Sequence, residues 1–313
     1  MFRSFNYKTP EPRPEDLENH RIADKIVQAA SVDQVLKEAN EGDFVLIGYA
    51  DDRGVQRNGG RIGACEGPVA FREVFYNFSS YVLDSSKYKI FDLGDLNTWS
   101  TQLKEAHDEA RKVIKKLRSK QIRLITIGGG HDWAFSDFAD FSGALLNLDA
   151  HFDVKPNPEA QNRQGHSGTP FRNIQSQKAR ADHPLLVIGA QKSSNSKTHE
   201  EWLHKNRGYS LFADDLSLDI SEQWNEIKNF IDSKIQEQDL ALSIDMDVFS
   251  QCFVPGVSAP SSIGLNPTIA RELIRNYSSK IKHLGIYELN PRIDRDKCSA
   301  RVAAQFALTI LSK

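Results

Sequence analysis

The chain has 313 residues, 39% of them hydrophobic, enough to bury a large core in one α/β domain. Forty basic side chains against 42 acidic ones leave a net charge of -2 with no lysine-rich run, which argues against nucleic-acid or membrane-surface partners. There is no apolar stretch of membrane-spanning length, and the start MFRSFNYKTPEPRPEDLENH lacks a secretory pattern, so a cytoplasmic location is expected.

In chain order, residues before about 40 read as a peripheral extension, a proline-rich lead-in (TPEPRPED) followed by a helix. Short apolar strands then alternate with amphipathic helices. The strands are FVLIGY (44–49), YKIFDLG (88–94), RLITIGG (123–129), GALLNLD (143–149), PLLVIGA (184–190), YSLFAD (209–214), LALSIDMD (240–247) and HLGIYEL (283–289). Helical spacing falls at 67–80, 101–120, 221–237, 266–279 and 297–312, with starts marked by Pro68, Ser221 and Asn266-Pro267. Nearly unbroken apolar strands fit parallel pairing with both faces covered. The expectation is a three-layer α/β/α domain over the whole chain, 1–313, with a mostly parallel sheet of eight strands. Cys65, Cys252 and Cys298 have no CxxC spacing and read as reduced, mostly buried thiols.

Parallel α/β sheets bind ligands outside the carboxyl ends of their strands. Three such ends carry chemistry. GGGHD (128–132) lets the backbone turn at close quarters and presents His131. NLDAHFD (147–153) sets Asp149, His151 and Asp153 at alternate positions, which in extended chain share one face. SIDMDVF (243–249) repeats the device with Asp245 and Asp247. Aspartates this close at the end of an apolar strand repel each other, and a cation removes the difficulty. Four aspartates and two neutral imidazoles balance two divalent ions, and oxygen-rich ligation without thiolate favours manganese. Two Mn2+ per chain are therefore expected.

The three motifs, in this order and at these intervals, resemble those of the ureohydrolases, the family of arginase, agmatinase and formimidoylglutamase, over about residues 44–312. The resemblance implies that His131 and Asp153 hold one metal, that His151 and Asp247 hold the other, and that Asp149 and Asp245 bridge both. It implies the family's eight-stranded parallel sheet and self-association as a trimer or hexamer. GVQRNGGRIGACEGPVAFRE (54–73), HSGTPFRNI (166–174), PGVSAPSSIGL (255–265) and ELNPRIDRDKCSARVAA (288–304) look most like the formimidoylglutamase branch. Its substrate would be N-formimino-L-glutamate, with glutamate and formamide as products. Arginase, agmatinase or guanidino-acid hydrolase activity, or an inactive metal-binding relative, are the alternatives.

Three residues are candidates for catalysis. Glu288 stands where the family has an acid that contacts the amidinium or guanidinium group, and a carboxylate suits a planar cation with several N–H donors. The departing amine needs a proton, for which Asp149 is the nearest relay and His166 the other candidate. In arginases and agmatinases a histidine directly precedes the glycine of this loop, whereas here Ser167 precedes Gly168. Two substrate carboxylates call for cationic or polar groups at the mouth, and Arg57, Asn58 and Arg61, with Lys155 and Arg163, are the candidates. The competing reading pairs Arg57 and Arg61 with Glu66 and Glu73. His107, His183, His199, His204 and His283 read as structural or solvated.

Overall fold

A computed structural model describes residues 2–5, 21–98, 101–157 and 165–312. Among these, ten strands form one sheet: β1 (Phe2–Arg3), β2 (Ile26–Gln28), β3 (Phe44–Gly48), β4 (Ile90–Leu96), β5 (Arg123–Ile127), β6 (Ala144–Leu148), β7 (Leu185–Ala190), β8 (Gly208–Phe212), β9 (Leu240–Asp245) and β10 (Ile281–Tyr287). The eight expected strands all form. The sheet gains β1 and β2, which both pair with β4, β1 antiparallel and β2 parallel. The lead-in TPEPRPED lies outside the described residues; the expected early helix is Val32–Glu38.

From β4 onward the spatial order is β4-β3-β5-β10-β9-β6-β7-β8, all parallel. The chain steps outward from β3 to β4 on one side and from β6 through β7 to β8 on the other. It then returns to fill the gap between β5 and β6 with β9 and β10. A reversal of this kind leaves a crevice at the carboxyl ends of the central strands.

Alternate strand residues feed two apolar layers. Leu46, Ile125, Leu146, Leu242 and Ile286 pack with helices 67–75, 220–235, 267–277 and 298–311 on one face. Val45, Ile47, Leu124, Leu145 and Val187 pack with helices 103–118, 134–138 and 170–175 on the other. Asn266 caps its helix by accepting from Thr268 N–H, with Pro267 at the first position. Helix 220–235 is capped two residues earlier than expected, since Asp219 rather than Ser221 accepts the free N–H groups. The cysteines depart from expectation: Cys252 and Cys298 are exposed and Cys65 is half-buried, because they sit in loops and at a helix start rather than on core faces. No helix among the described residues is long and apolar enough to cross a membrane.

Candidate metal centre and substrate cleft

All six expected ligands and Glu288 lie at or just beyond the carboxyl ends of four adjacent strands, β5, β10, β9 and β6. Gly129 makes the first approach possible, because a Cβ there would fall 1.9 Å from the Asp51 carbonyl oxygen. Its own carbonyl accepts the Glu288 N–H at 2.9 Å, and one Glu288 oxygen accepts the His131 N–H at the same distance. The GGGHD turn and the end of β10 are thus stitched together.

The aspartates converge by a route different from extended alternation. β6 ends at Leu148 and the chain bends, with Asp149 accepting the His151 N–H at 2.7 Å. Asp153 takes a left-handed φ of 48°, which returns its carboxylate to the cluster. Asp245 likewise closes β9 by accepting the Asp247 N–H at 2.9 Å over a single 3-10 turn. Turns, not a pleat, bring the i and i+2 side chains together.

Two ligand groups result. Nδ1 of His131 lies 3.2 Å from Asp149, 3.0 Å from Asp153 and 3.0 Å from Asp245. Nδ1 of His151 lies 3.1 Å from Asp247 and 3.6 Å from Asp149. Within each group one donor atom per residue lies within 4.8 Å of the others, and Asp149 belongs to both. The donor set fits cations. Nε2 of His131 is engaged with Ser243 Oγ at 2.9 Å, while its buried Nδ1 has no hydrogen-bond partner despite three nearby carboxylates. Asp247 Oδ1 is buried and unpartnered as well. Burial raises the Asp245 carboxyl well above the ordinary range, and the charges of Asp247 and Asp149 raise it further. Burial and Asp149 push Asp153 up to about 6. Carboxylates that raise one another this way call for positive charge. Asn147 supports the centre by donating to Asp149 Oδ2 at 3.0 Å.

His151, Asp153, Asp245 and Asp247 line a cleft of about 690 Å³ together with Asn58, Arg61, Lys155, Ser167, His199 and Glu288, while His131 and Asp149 are wholly buried. Burial pushes Glu288 up to about 8, although it accepts the His131 N–H. Lys155 donates to Asn58 Oδ1 and Asn58 donates to Ser167 Oγ, each at 3.0 Å. Arg61 reaches across the rim, donating to the carbonyls of Ser258 at 3.0 Å and Val257 at 2.9 Å. Arg57 is exposed beside Asp132 and Arg53 and does not line the cleft. Arg163 lies outside the described residues. Glu66 and Glu73 pair with Arg292 and Lys297, not with Arg57 or Arg61.

His166 is folded onto its own loop, with Nδ1 accepting the Gly168 N–H at 3.1 Å, so Ser167 faces the cleft in its place. His199, expected to be structural or solvated, lines the cleft, as does Asn195, which the sequence did not single out. Asn195 accepts the Phe152 N–H and donates to the Ala150 carbonyl, both at 2.8 Å, which braces the DAHFD turn. The signal was available, since both residues follow the carboxyl end of β7.

Comparison with known proteins gives the family and agrees with the fold. A formimidoylglutamase of Staphylococcus carnosus is 34% identical over 283 residues, covering 87% of this chain and 86% of that protein. One from a Geobacillus strain is 31% identical over 307 residues, covering 95% and 90%. Among solved structures, a Bacillus subtilis formimidoylglutamase superposes with a TM-score of 0.81 at 21% identity, covering 98% of this chain and 95% of its own. A Trypanosoma cruzi formiminoglutamase solved with Mn2+ superposes with a TM-score of 0.79 at 23% identity, covering 94% and 97%. A family model described as Arginase family matches residues 42–312, from just before β3 to the end of the last helix, and the chain belongs to the arginase family.

Proposed function

We propose that the protein hydrolyses N-formimino-L-glutamate to L-glutamate and formamide with two Mn2+ ions per chain. The observation that carries the reading is the pair of ligand groups sharing Asp149 on the floor of a cleft with polar and cationic walls. Relatives about 30% identical over most of the chain carry the name formimidoylglutamase. His131 and Asp153 would hold one ion, His151 and Asp247 the other, and Asp149 and Asp245 both. Bound there, the cations supply Lewis acidity and a water that ionises near neutral pH.

In the overall reaction the water oxygen bonds to the formimino carbon, the bond from that carbon to the glutamate nitrogen breaks, and that nitrogen gains a proton. Glu288 is fixed through its bond to the His131 N–H, which sets its carboxylate to receive the N–H donors of the amidine. Asp149 is wholly buried and does not line the cleft, so it would serve the cations rather than the relay expected of it, and the proton for the leaving nitrogen comes from another group. Lys155, Asn58 and the charge of Arg61 meet the two substrate carboxylates. The Arg61 fork is already engaged with backbone carbonyls, so it contributes charge and rim shape rather than a bidentate grip.

The test is a turnover panel of formiminoglutamate, arginine, agmatine and guanidino acids with the Mn2+-loaded protein. The expected result is a preference of at least about tenfold in kcat/KM for formiminoglutamate, roughly 1.4 kcal/mol of discrimination. Equal or better turnover of another member of the panel overturns the assignment.

A further inference from the structure

Behind the ligand cluster runs a buried polar chain that the proposed reaction does not use. Asp137, on helix 134–138, is fully buried and accepts hydroxyl hydrogens from Tyr49 at 2.6 Å, Thr126 at 2.6 Å and Tyr287 at 2.5 Å. Thr126 has one hydroxyl hydrogen and gives it to Asp137, so its 3.0 Å contact with His283 Nε2 requires that nitrogen to donate. Nδ1 of His283 is then the acceptor for Arg118 Nη2 at 3.0 Å. Burial holds the His283 pKa well below its ordinary value, consistent with a neutral ring. Every hydrogen from the guanidinium to the carboxylate is thereby assigned.

Tyr287 carries this chain to the metal ligands. Its ring lies nearly parallel to the His131 imidazole, 4.9 Å between centroids and 26° between planes. Phe171 meets the same imidazole edge-on at 5.2 Å. The tyrosine lies flat on the sheet because two glycines leave room: a Cβ on Gly128 would come within 2.3 Å of its ring, and one on Gly285 within 2.2 Å of its hydroxyl. The first glycine of GGGHD thus clears space for an aromatic ring.

We propose that Tyr287 is a positioning residue for His131. Asp137 pins the hydroxyl, and the pinned ring fixes the plane in which Nδ1 of His131 meets Asp149, Asp153 and Asp245. This rests on the reading of those residues as metal ligands.

Two variants separate positioning from general stability. Tyr287→Phe and Tyr49→Phe each remove one hydroxyl donor from the same buried carboxylate. Tyr49 stacks on Trp133, 4.5 Å away, rather than on His131. Metal-free protein is titrated with Mn2+ and free ion is followed by paramagnetic resonance, alongside Tm and steady-state kinetics. Tyr287→Phe is expected to weaken one of two bound ions by at least about tenfold and to lower kcat with little change in KM. Tyr49→Phe is expected to stay within about twofold of wild type in Mn2+ affinity. Equal affinities in the two variants, whether both unchanged or both weakened, overturn the positioning role. A wild-type protein that binds no Mn2+ stoichiometrically overturns the metal reading beneath it.

Discussion

At the scale of single residues, side-chain direction separates groups that the sequence treats alike. Arg57 and Arg61 occupy the same glycine-rich loop, yet one lies beside Asp132 and the other crosses the cleft rim. Nothing in RNGGRIG discloses this, because loop direction depends on partners 197 residues away, at Ser258. The six ligand candidates were legible for the opposite reason. Acids two residues apart after an apolar strand are costly enough to demand a cause. Lys155 is the most direct test of the cleft wall: among the described residues its ammonium donates only to Asn58, and it faces the same cavity as the proposed metal ligands. Lys155→Ala should raise KM for formiminoglutamate by about tenfold, with kcat changed less and metal content intact. Unchanged KM with normal metal content would remove Lys155 from the substrate site.

At the scale of elements, seven of the eight longer strands were readable as buried, mainly apolar runs, and the edge strand β8, only part-buried, by its aromatic residues and its place in the alternating pattern of strand and helix. Helices 134–138 and 170–175 were not, since five or six residues hold less than two turns of periodicity. β1 and β2 are shorter still, and their pairing depends on the exposed edge of β4 rather than on their own pattern. One join between elements was also hidden in the sequence. Arg72, wholly buried on helix 67–75, donates to both oxygens of Asp92 on β4, at 2.7 and 3.0 Å, and to Asp95 at 2.5 Å. Neither acid belongs to the cleft. Arg72→Met should cost about 3–5 kcal/mol, because it strands a buried carboxylate. Adding Asp92→Asn should recover part of that loss. The check is the denaturant midpoint together with Mn2+ stoichiometry; a lost metal site with an unchanged midpoint would contradict a structural role.

At the scale of the whole molecule, three neighbouring strands, β10, β9 and β6, end in acids that raise one another's pKa, so burying them works against the fold until positive charge offsets them. The charge balance was legible from four aspartates and two histidines, and the sharing of Asp149 only from the family resemblance; its physical cause lies in the bends after β6 and β9. This arrangement predicts effects of opposite sign with and without metal. Asp245→Asn keeps the acceptor for the Asp247 N–H but removes a buried charge that Asp247 and Asp149 disfavour. An acid whose folded pKa is raised loses stabilising power as pH climbs through that pKa. Metal-free Asp245→Asn should therefore melt at or above metal-free wild type at pH 8, with the difference closing as pH falls toward 4, where Asp245 is itself neutral. With Mn2+ at about a hundred times its Kd, wild type should gain on the order of 5 °C in Tm, and the variant little or nothing. Calorimetry of both proteins, with chelator and with Mn2+, decides the matter. A metal-free variant that is less stable than wild type at pH 8, or one that gains as much from Mn2+, would show that the buried acids do not need the cations the centre is proposed to hold.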